Sequence, residues 1–338
     1  MEKVYFTKNN LQKLADKILP KFSGKTGIKV HFGEPGNTTF LNPKTAEIIY
    51  HIAKKQESNT SLIECNVLYK GQRAGTKSHL EVAKKHGFNF APIDICDTNG
   101  DWVVPINLKY FKEAKLGKNL KKYKNLITIS HFKGHGANGF GGALKNVGMG
   151  LGSRAGKMAM HKAFELYVND KKCIGCGICA EKCPAEAIGV NGVAKIDLEK
   201  CIGCAACITN CDQEAVGFAW DSQSSKELQE KIVEYTFAVL KNLKPVAFFN
   251  ELKNITANCD CYGVKMKKEV PDIGFLASTD PVAIDQAGFD LVNKLAGFDL
   301  FEKLHGIDSI VQLKYAEKLG LGSRKYQLIN IDQPMYTS

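Results

Sequence analysis

The chain has 338 residues, enough for about two domains and for a full buried core. Lys and Arg number 46 against 35 Asp and Glu, a formal charge of +11 that suits an acidic partner or an anionic ligand. No apolar run approaches the roughly 18 residues of a membrane span, the opening residues do not resemble a signal peptide, and the 12 cysteines argue for a reducing, oxygen-poor cytoplasm rather than a disulfide framework.

Val4 to Thr7 reads as a strand. Asn9 to Leu19 places Leu11, Leu14, Ala15, Ile18 and Leu19 at helical spacing and stops at Pro20. A strand from Gly27 to Phe32 leads into the loop Gly33-Glu-Pro-Gly-Asn-Thr-Thr39. The helix Pro43 to Gln56 carries proline at its start, and a buried strand from Ser61 to Cys65 follows. Lys77 to His86 is a helix closed by Gly87, and Ala91 to Cys96 and Trp102 to Ile106 look like strands. Strands alternating with helices predict an α/β layer architecture. Lys109 to Lys124 then sets seven lysines against Glu113 alone. It reads as a solvated helical face and loop, with a docking patch for an acidic redox partner as the sharper alternative. Nucleic acid is the weaker one, because the only aromatics there are Tyr110, Phe111 and Tyr123.

The apolar strand Leu126 to Ser130 runs into a glycine-rich stretch, with nine glycines from Gly134 to Gly156. A strand that empties into such a loop ahead of a helix puts backbone N–H groups at a strand's carboxyl end, where α/β folds bind ligands. It is not a Walker A loop, since Met158 follows Gly156-Lys157. His131, His135 and His161 surround it, and Lys145 lies within it. His135, Lys145 and His161 are the candidate catalytic residues, expected in one pocket with the turn of Gly139, Gly141 and Gly142 at its floor. A lysine beside histidines in a closed pocket suits a small anion or carboxylate.

Cys173, Cys176, Cys179 and Cys183 follow as C-x2-C-x2-C-x3-C-P, and Cys201, Cys204, Cys207 and Cys211 repeat the spacing 28 residues later. This is the bacterial-ferredoxin spacing for two [4Fe–4S] clusters. Three closely spaced cysteines curl around one cube, and the fourth has turned away toward the other. Cys173, Cys176, Cys179 and Cys211 are therefore expected on one cluster, and Cys201, Cys204, Cys207 and Cys183 on the other. Structural zinc is the competing reading, but it has no use for the third, evenly spaced cysteine. Glycines 175, 177 and 203 relieve crowding near sulfide. Asp212 stands where the first motif has Pro184. Residues 171–220 carry a net −1, so the basicity belongs to the rest of the chain.

Beyond the cysteines, Ser224 to Leu240 reads as a helix and Pro245 to Phe249 as a strand. Asn258-Cys-Asp-Cys-Tyr262 offers a C-x-C pair, as readily two reduced core thiols as metal ligands. Asp272 to Ala277 is a strand, Pro281 opens a helix, Asp308 to Leu319 is another, and Tyr326 to Ile331 is the last strand. Residues 1–164 and 222–338 thus form one α/β domain, a mixed or parallel sheet with flanking helices, and residues 165–221 form an inserted α+β two-cluster module.

Three stretches carry a resemblance: His131-Phe-Lys-Gly-His135 to Lys145-Asn-Val-Gly148, Cys259-Asp-Cys261, and Pro271-Asp-Ile-Gly274 through Asp280-Pro-Val-Ala-Ile-Asp285. With the inserted ferredoxin they resemble the iron–sulfur proteins of the "domain of unknown function 362" family over nearly the whole chain. A fainter likeness is to the nickel-pincer lactate racemase family. His135, Gly139-Phe-Gly-Gly142, Lys145 and His161 stand at that family's separations of ten and sixteen residues. That resemblance implies a cofactor-anchoring lysine, histidines that ligate nickel or move protons, and a second loop at Gly75-Thr76 with His79. Glu34-Pro-Gly-Asn-Thr-Thr39 replaces the racemase loop that carries Asp and Arg, so the likeness carries fold and cleft location only.

Three functions follow. The favoured one is an iron–sulfur redox protein, possessing two [4Fe–4S] clusters that exchange electrons with a ligand or an acidic redox partner at the glycine-rich cleft. The second is a non-redox, racemase- or isomerase-like enzyme working through His135, Lys145 and His161, with structural clusters. The third is a nucleic-acid-binding iron–sulfur protein, motivated by the basic large domain alone.

Overall fold

Eight strands form one sheet in the order Tyr326–Asn330, Glu2–Thr7, Gly274–Ser278, Lys244–Leu252, Asn125–His131, Thr26–Lys29, Thr60–Glu64 and Ile93–Ile95. All neighbours run parallel except around Gly274–Ser278, which is antiparallel to both of its partners. The computed structural model behind this description covers residues 1–161, 166–201, 205–218 and 225–332.

Side-chain alternation explains why the sheet is covered on both faces. Along Asn125–His131, Leu126 joins one apolar layer, and Ile127 and Ile129 join the other. The first layer is closed by helices Ala143–Leu151, Ser225–Asn242 and Pro281–Ala296, through Leu144, Ile232 and Val282. The second is closed by Leu11–Ile18 and Pro43–Gln56, through Leu14, Ile49 and Ile52. Pro43 sits in the first turn of its helix, and the Asn42 side chain accepts from the Lys44 N–H.

The strand order reverses between Thr26–Lys29 and Asn125–His131. From the first the chain steps outward to Thr60–Glu64 and Ile93–Ile95; from the second it steps the other way to Lys244–Leu252. At such a switch point the loops leaving the two carboxyl ends diverge and open a crevice. His31 leaves one of these ends and Lys133 the other, and both line the cavity described below.

One expectation fails clearly. Lys109 to Lys124 is not a helical face. Glu113–Gly117 is a strand paired with Asp101–Pro105, and Lys118–Lys122 is a 3-10 turn. The reason is a period of two hidden among the lysines: Ala114 and Leu116 point inward and are fully buried. The lysines are dispersed. Lys109 pairs with Glu230 at 2.6 Å, and Lys121 lies over Trp102. The strand expected at Trp102 to Ile106 exists, but in this hairpin and not in the main sheet.

The cysteine-bearing segment enters and leaves on paired strands, Leu166–Val168 with Val216–Phe218. Between them lie the hairpin Ile188–Asn191 with Val193–Ile196 and two short helices, Ile178–Glu181 and Ala206–Thr209. The repeat seen in the sequence is also a repeat of backbone. Gly177 (φ 78°) and Ala205 (φ 58°) hold matching left-handed positions ahead of the two helices, and Glu186 and Glu214 match at 48° and 49°. Gly175 is left-handed too, and a Cβ there would stand 2.3 Å from the Gly192 carbonyl oxygen. Gly203 and Cys204 lie outside the described residues.

Candidate functional site

A cavity of about 920 Å³ opens at the switch point. His135, Lys145 and His161 all line it, together with Gly141 and Gly142. His135 ends the short strand Lys133–His135, which pairs with Gly139–Gly141. Lys145 lies in the first turn of Ala143–Leu151, and His161 caps the carboxyl end of Arg154–Met160. Gly139 is not part of the lining. It is left-handed (φ 76°) and packs on Ser309, where a Cβ would meet the hydroxyl at 2.0 Å.

The helix N-terminus behind the glycines does not offer free donors, as the sequence suggests it would. Asp285, fully buried on Pro281–Ala296, accepts from the Ala143 N–H at 2.7 Å and from the Leu144 N–H at 2.9 Å. Asn250 donates to it at 2.7 Å. Gly142 is glycine for this reason, since a Cβ there would lie 2.2 Å from Asp285 Oδ1. The ligand-facing charge is instead Lys145. Its stem lies over Gly141, and it makes no ion pair or hydrogen bond among the described residues.

Burial raises the Asp285 carboxyl to about 6, and its hydrogen bonds only partly counter this. Because the folded value lies above the unfolded one, stability is gained as pH falls from about 6 to about 4. Asp285→Asn should remove that gain. It should also cost about 2 kcal/mol at neutral pH by turning an amide donor toward a backbone donor. Urea unfolding at pH 4 and at pH 7 to 8 measures both effects.

Sequence reasoning missed most of the remaining wall. Arg73 is fully buried and donates to Glu34 at 2.7 Å and to Tyr69 Oη at 2.6 Å. Tyr69 in turn donates to Glu34 at 2.9 Å. Lys29, also fully buried, pairs with Glu64 at 2.9 Å and donates to Asn146 at 2.6 Å. The other Glu64 oxygen is buried without a hydrogen-bond partner among the described residues. Asp260 is fully buried against His131 at 2.9 Å and Lys133 at 3.1 Å. Burial would raise the Asp260 carboxyl, but these two partners hold it at about 2.

Asp260 fixes the turn that carries Cys259 and Cys261 into the cavity. The neighbouring Cys259 thiol and the positive potential of Lys145, Arg73 and Lys133 bring the Cys261 thiol, against burial, down to about 5. Cys261 Sγ lies 3.5 Å from His31 Nε2. The Gly33 N–H approaches His31 Nδ1 at 3.1 Å and the Arg73 guanidinium approaches Nε2 at 3.2 Å, so both ring nitrogens face donors. Burial and neighbouring cations hold His31 and His135 well below the ordinary imidazole value, and burial and then Lys145 bring His161 down to about 3. At neutral pH the cavity therefore presents neutral imidazoles and a lowered Cys261 thiol, with Arg73, Lys133, Lys145 and Lys157 around them.

His79 does not belong to the site. It is fully buried on Thr76–Lys85, edge-on to Phe32, with its Nδ1 3.3 Å from Asn66 Oδ1.

A second, smaller pocket is lined by Cys173, Cys176, Cys179 and Cys211, the set predicted to share one cluster. Backbone N–H groups reach three of the motif sulfurs: Ala194 to Cys173 at 3.4 Å, Ala187 to Cys183 at 3.3 Å and Ala215 to Cys211 at 3.2 Å. Among the described residues no three His, Cys, Asp or Glu side chains converge as they would around a single ion. One apolar cluster links the two pockets. Leu68 lines the large cavity and packs in one apolar cluster with Cys179 and Cys207, and Lys70 donates to the Cys211 carbonyl at 3.2 Å.

Residues 26–290 match the model of a family described as domain of unknown function (DUF362). The solved structure of the lactate racemase apoprotein from Thermoanaerobacterium thermosaccharolyticum is similar to this chain, with a TM-score of 0.43 and 12% identity. The similarity covers 87% of this chain and 58% of that one, so the chain spans little more than half of that structure's length. None of the curated proteins compared matches the chain. No helix among the described residues is long and apolar enough to cross a membrane.

Proposed function

The chain belongs to the DUF362 family, and from that premise we propose that it is an iron–sulfur redox protein which exchanges electrons with a small anionic ligand held in the large cavity. The observation that carries this reading is proximity: Leu68 lines the cavity and belongs to the apolar cluster that also holds Cys179 and Cys207.

The cysteines fit the group they would hold. Cys173, Cys176, Cys179 and Cys211 surround one pocket, with N–H groups aimed at two of their sulfurs. Such donors stabilise the thiolate charge that a cube leaves on sulfur. Cys201, Cys204, Cys207 and Cys183 would hold the second cluster. When bound, the two [4Fe–4S] clusters supply one-electron chemistry at low potential.

The chain's own residues do the rest. Lys145 binds the ligand's negative charge with a charge-assisted hydrogen bond. His135 and His161 are neutral at pH 7 and can accept a proton from the ligand. Leu68, Leu228 and Ile232 keep water from part of the lining. A second reading draws on the same two neutral imidazoles. They flank Lys145 as an acid–base pair would in proton transfer at a carbon next to a carboxylate, with the clusters structural. Reductive titration with and without ligand separates the two, because only the redox reading requires the cluster potential to move on binding.

Anaerobic purification should yield about eight iron and eight sulfide per chain. Cys183→Ser should alter the spectrum of the cluster held by Cys201, Cys204 and Cys207 and spare the other. About four iron, stoichiometric zinc, or a change confined to the first motif would each rule out this ligand assignment.

A further inference from the structure

The cavity contains a nucleophilic pair that the proposed function leaves unused. Cys259 and Cys261 both line it, Cys259 at 2% exposure and Cys261 half-buried. The turn between them is pinned by Asp260 to His131 and Lys133. His31 Nε2 lies 3.5 Å from the Cys261 sulfur, and Lys145, without an ion pair among the described residues, lines the same cavity.

We propose that Cys261 is a nucleophilic thiolate and Cys259 its resolving thiol, together forming a dithiol site that reduces a small, negatively charged disulfide. The more exposed cysteine attacks and the buried one resolves, the order that their exposures favour. The low value of the Cys261 thiol agrees with this order, because it keeps the attacking sulfur ionised at neutral pH.

The chemistry balances in two exchanges. The Cys261 thiolate attacks one sulfur of the substrate; a bond forms to Cys261 Sγ, the substrate S–S bond breaks, and the first thiolate product leaves with a proton from Cys259. The Cys259 thiolate then attacks Cys261 Sγ, expels the second product as a thiolate and closes a Cys259–Cys261 disulfide. Two electrons, taken one at a time from a donor, and one proton restore the Cys261 thiolate and the Cys259 thiol. This inference rests on the proposed function only for that one-electron donor, the chemistry that the cysteine module offers when its clusters are bound.

The test uses the purified anaerobic protein and a probe of the right class, the anionic disulfide 5,5′-dithiobis(2-nitrobenzoate). Both cysteines fall in the single tryptic peptide 254–265, so mass mapping reads them apart from the cluster cysteines. The expected result is a fast release of about two thiol equivalents from this peptide and the loss of two hydrogens by it. Cys259→Ser should stop the reaction at a mixed disulfide on Cys261, and Cys261→Ser should abolish the fast phase. Iodoacetamide at pH 6 should label Cys261 about tenfold faster than free cysteine, the balance of greater ionisation against weaker intrinsic nucleophilicity. An adduct mapping to Cys259, no internal disulfide, or labelling of Cys261 slower than free cysteine would overturn the proposal. Iron analysis of the same sample reports on the cluster reading separately, since the peptide result does not depend on it.

Discussion

Asp260→Ala should unfold with a stability about 3–5 kcal/mol below that of the parent chain at pH 7, the largest loss expected from any single substitution at this site. The carboxylate it removes is fully buried and is shared by His131 at 2.9 Å and Lys133 at 3.1 Å. Both donors would remain inside without an acceptor. The effect should also depend on acid in one direction. With the folded carboxyl at about 2 and the unfolded one near 3.9, the Asp260 contribution is fully present above about pH 4. It is lost as pH falls toward 2, and amounts to roughly 2–3 kcal/mol. Urea midpoints between pH 2 and 7 should therefore converge for parent and variant at the acid end. A variant within about 1 kcal/mol of the parent at pH 7 would mean that the cluster is hydrated and contributes as a surface pair does. The Asp285 window lies higher, between about 4 and 6, so the two carboxylates can be read apart.

Lys145→Met should leave the fold intact and weaken anion binding by about tenfold to a hundredfold, the range for losing a hydrogen bond to a charged group. The chain loses no ion pair by the change, because Lys145 has none among the described residues. Titration with malonate and with phosphate, followed by calorimetry, gives the affinity. A second readout needs no ligand. The Lys145 charge helps to hold down His135, His161 and Cys261. Its removal should raise all three, with His161 moving up from about 3. Unchanged histidine titration by NMR would show that Lys145 points to solvent, and with it the anion reading would fall.

Much of the scaffold could be read in advance because its signals are local. Pro43 after Asn42 marks the start of its helix, and the apolar runs at Ser61 and Leu126 fall on strands buried on both faces. His135, Lys145 and His161 were legible for a related reason. Two of the three follow one strand within fifteen residues, and the glycines between them mark close packing. The rest of the site is assembled across the chain. His31 and Cys261 are 230 positions apart and meet only because the sheet brings their strand ends together. The acid that caps the glycine-loop helix stands at 285, some 140 residues beyond it, and no local pattern distinguishes Asp285 from any other acid on that helix. The lysine run misled because charge at every third residue masked the alternation of Ala114 and Leu116 beneath it.

The insertion point of the cysteine-bearing segment has an evolutionary consequence. Leu166 and Phe218 are cross-strand partners, and the flanking His161 and Ser225 both look into the large cavity. The segment thus departs and returns at one place on the rim, and among the described residues none of its strands joins the eight-stranded sheet. A lineage could gain, shed or exchange it like a cassette without reordering a single strand of its host. A cousin lacking it would keep Lys145, Cys259 and Cys261 in place and would lose the neighbours of Leu68 and Lys70. Heredity can therefore vary what is delivered at the rim separately from what is held inside, and a survey of the family for chains that pass straight from the helix before His161 to the helix at Ser225 would show whether it has.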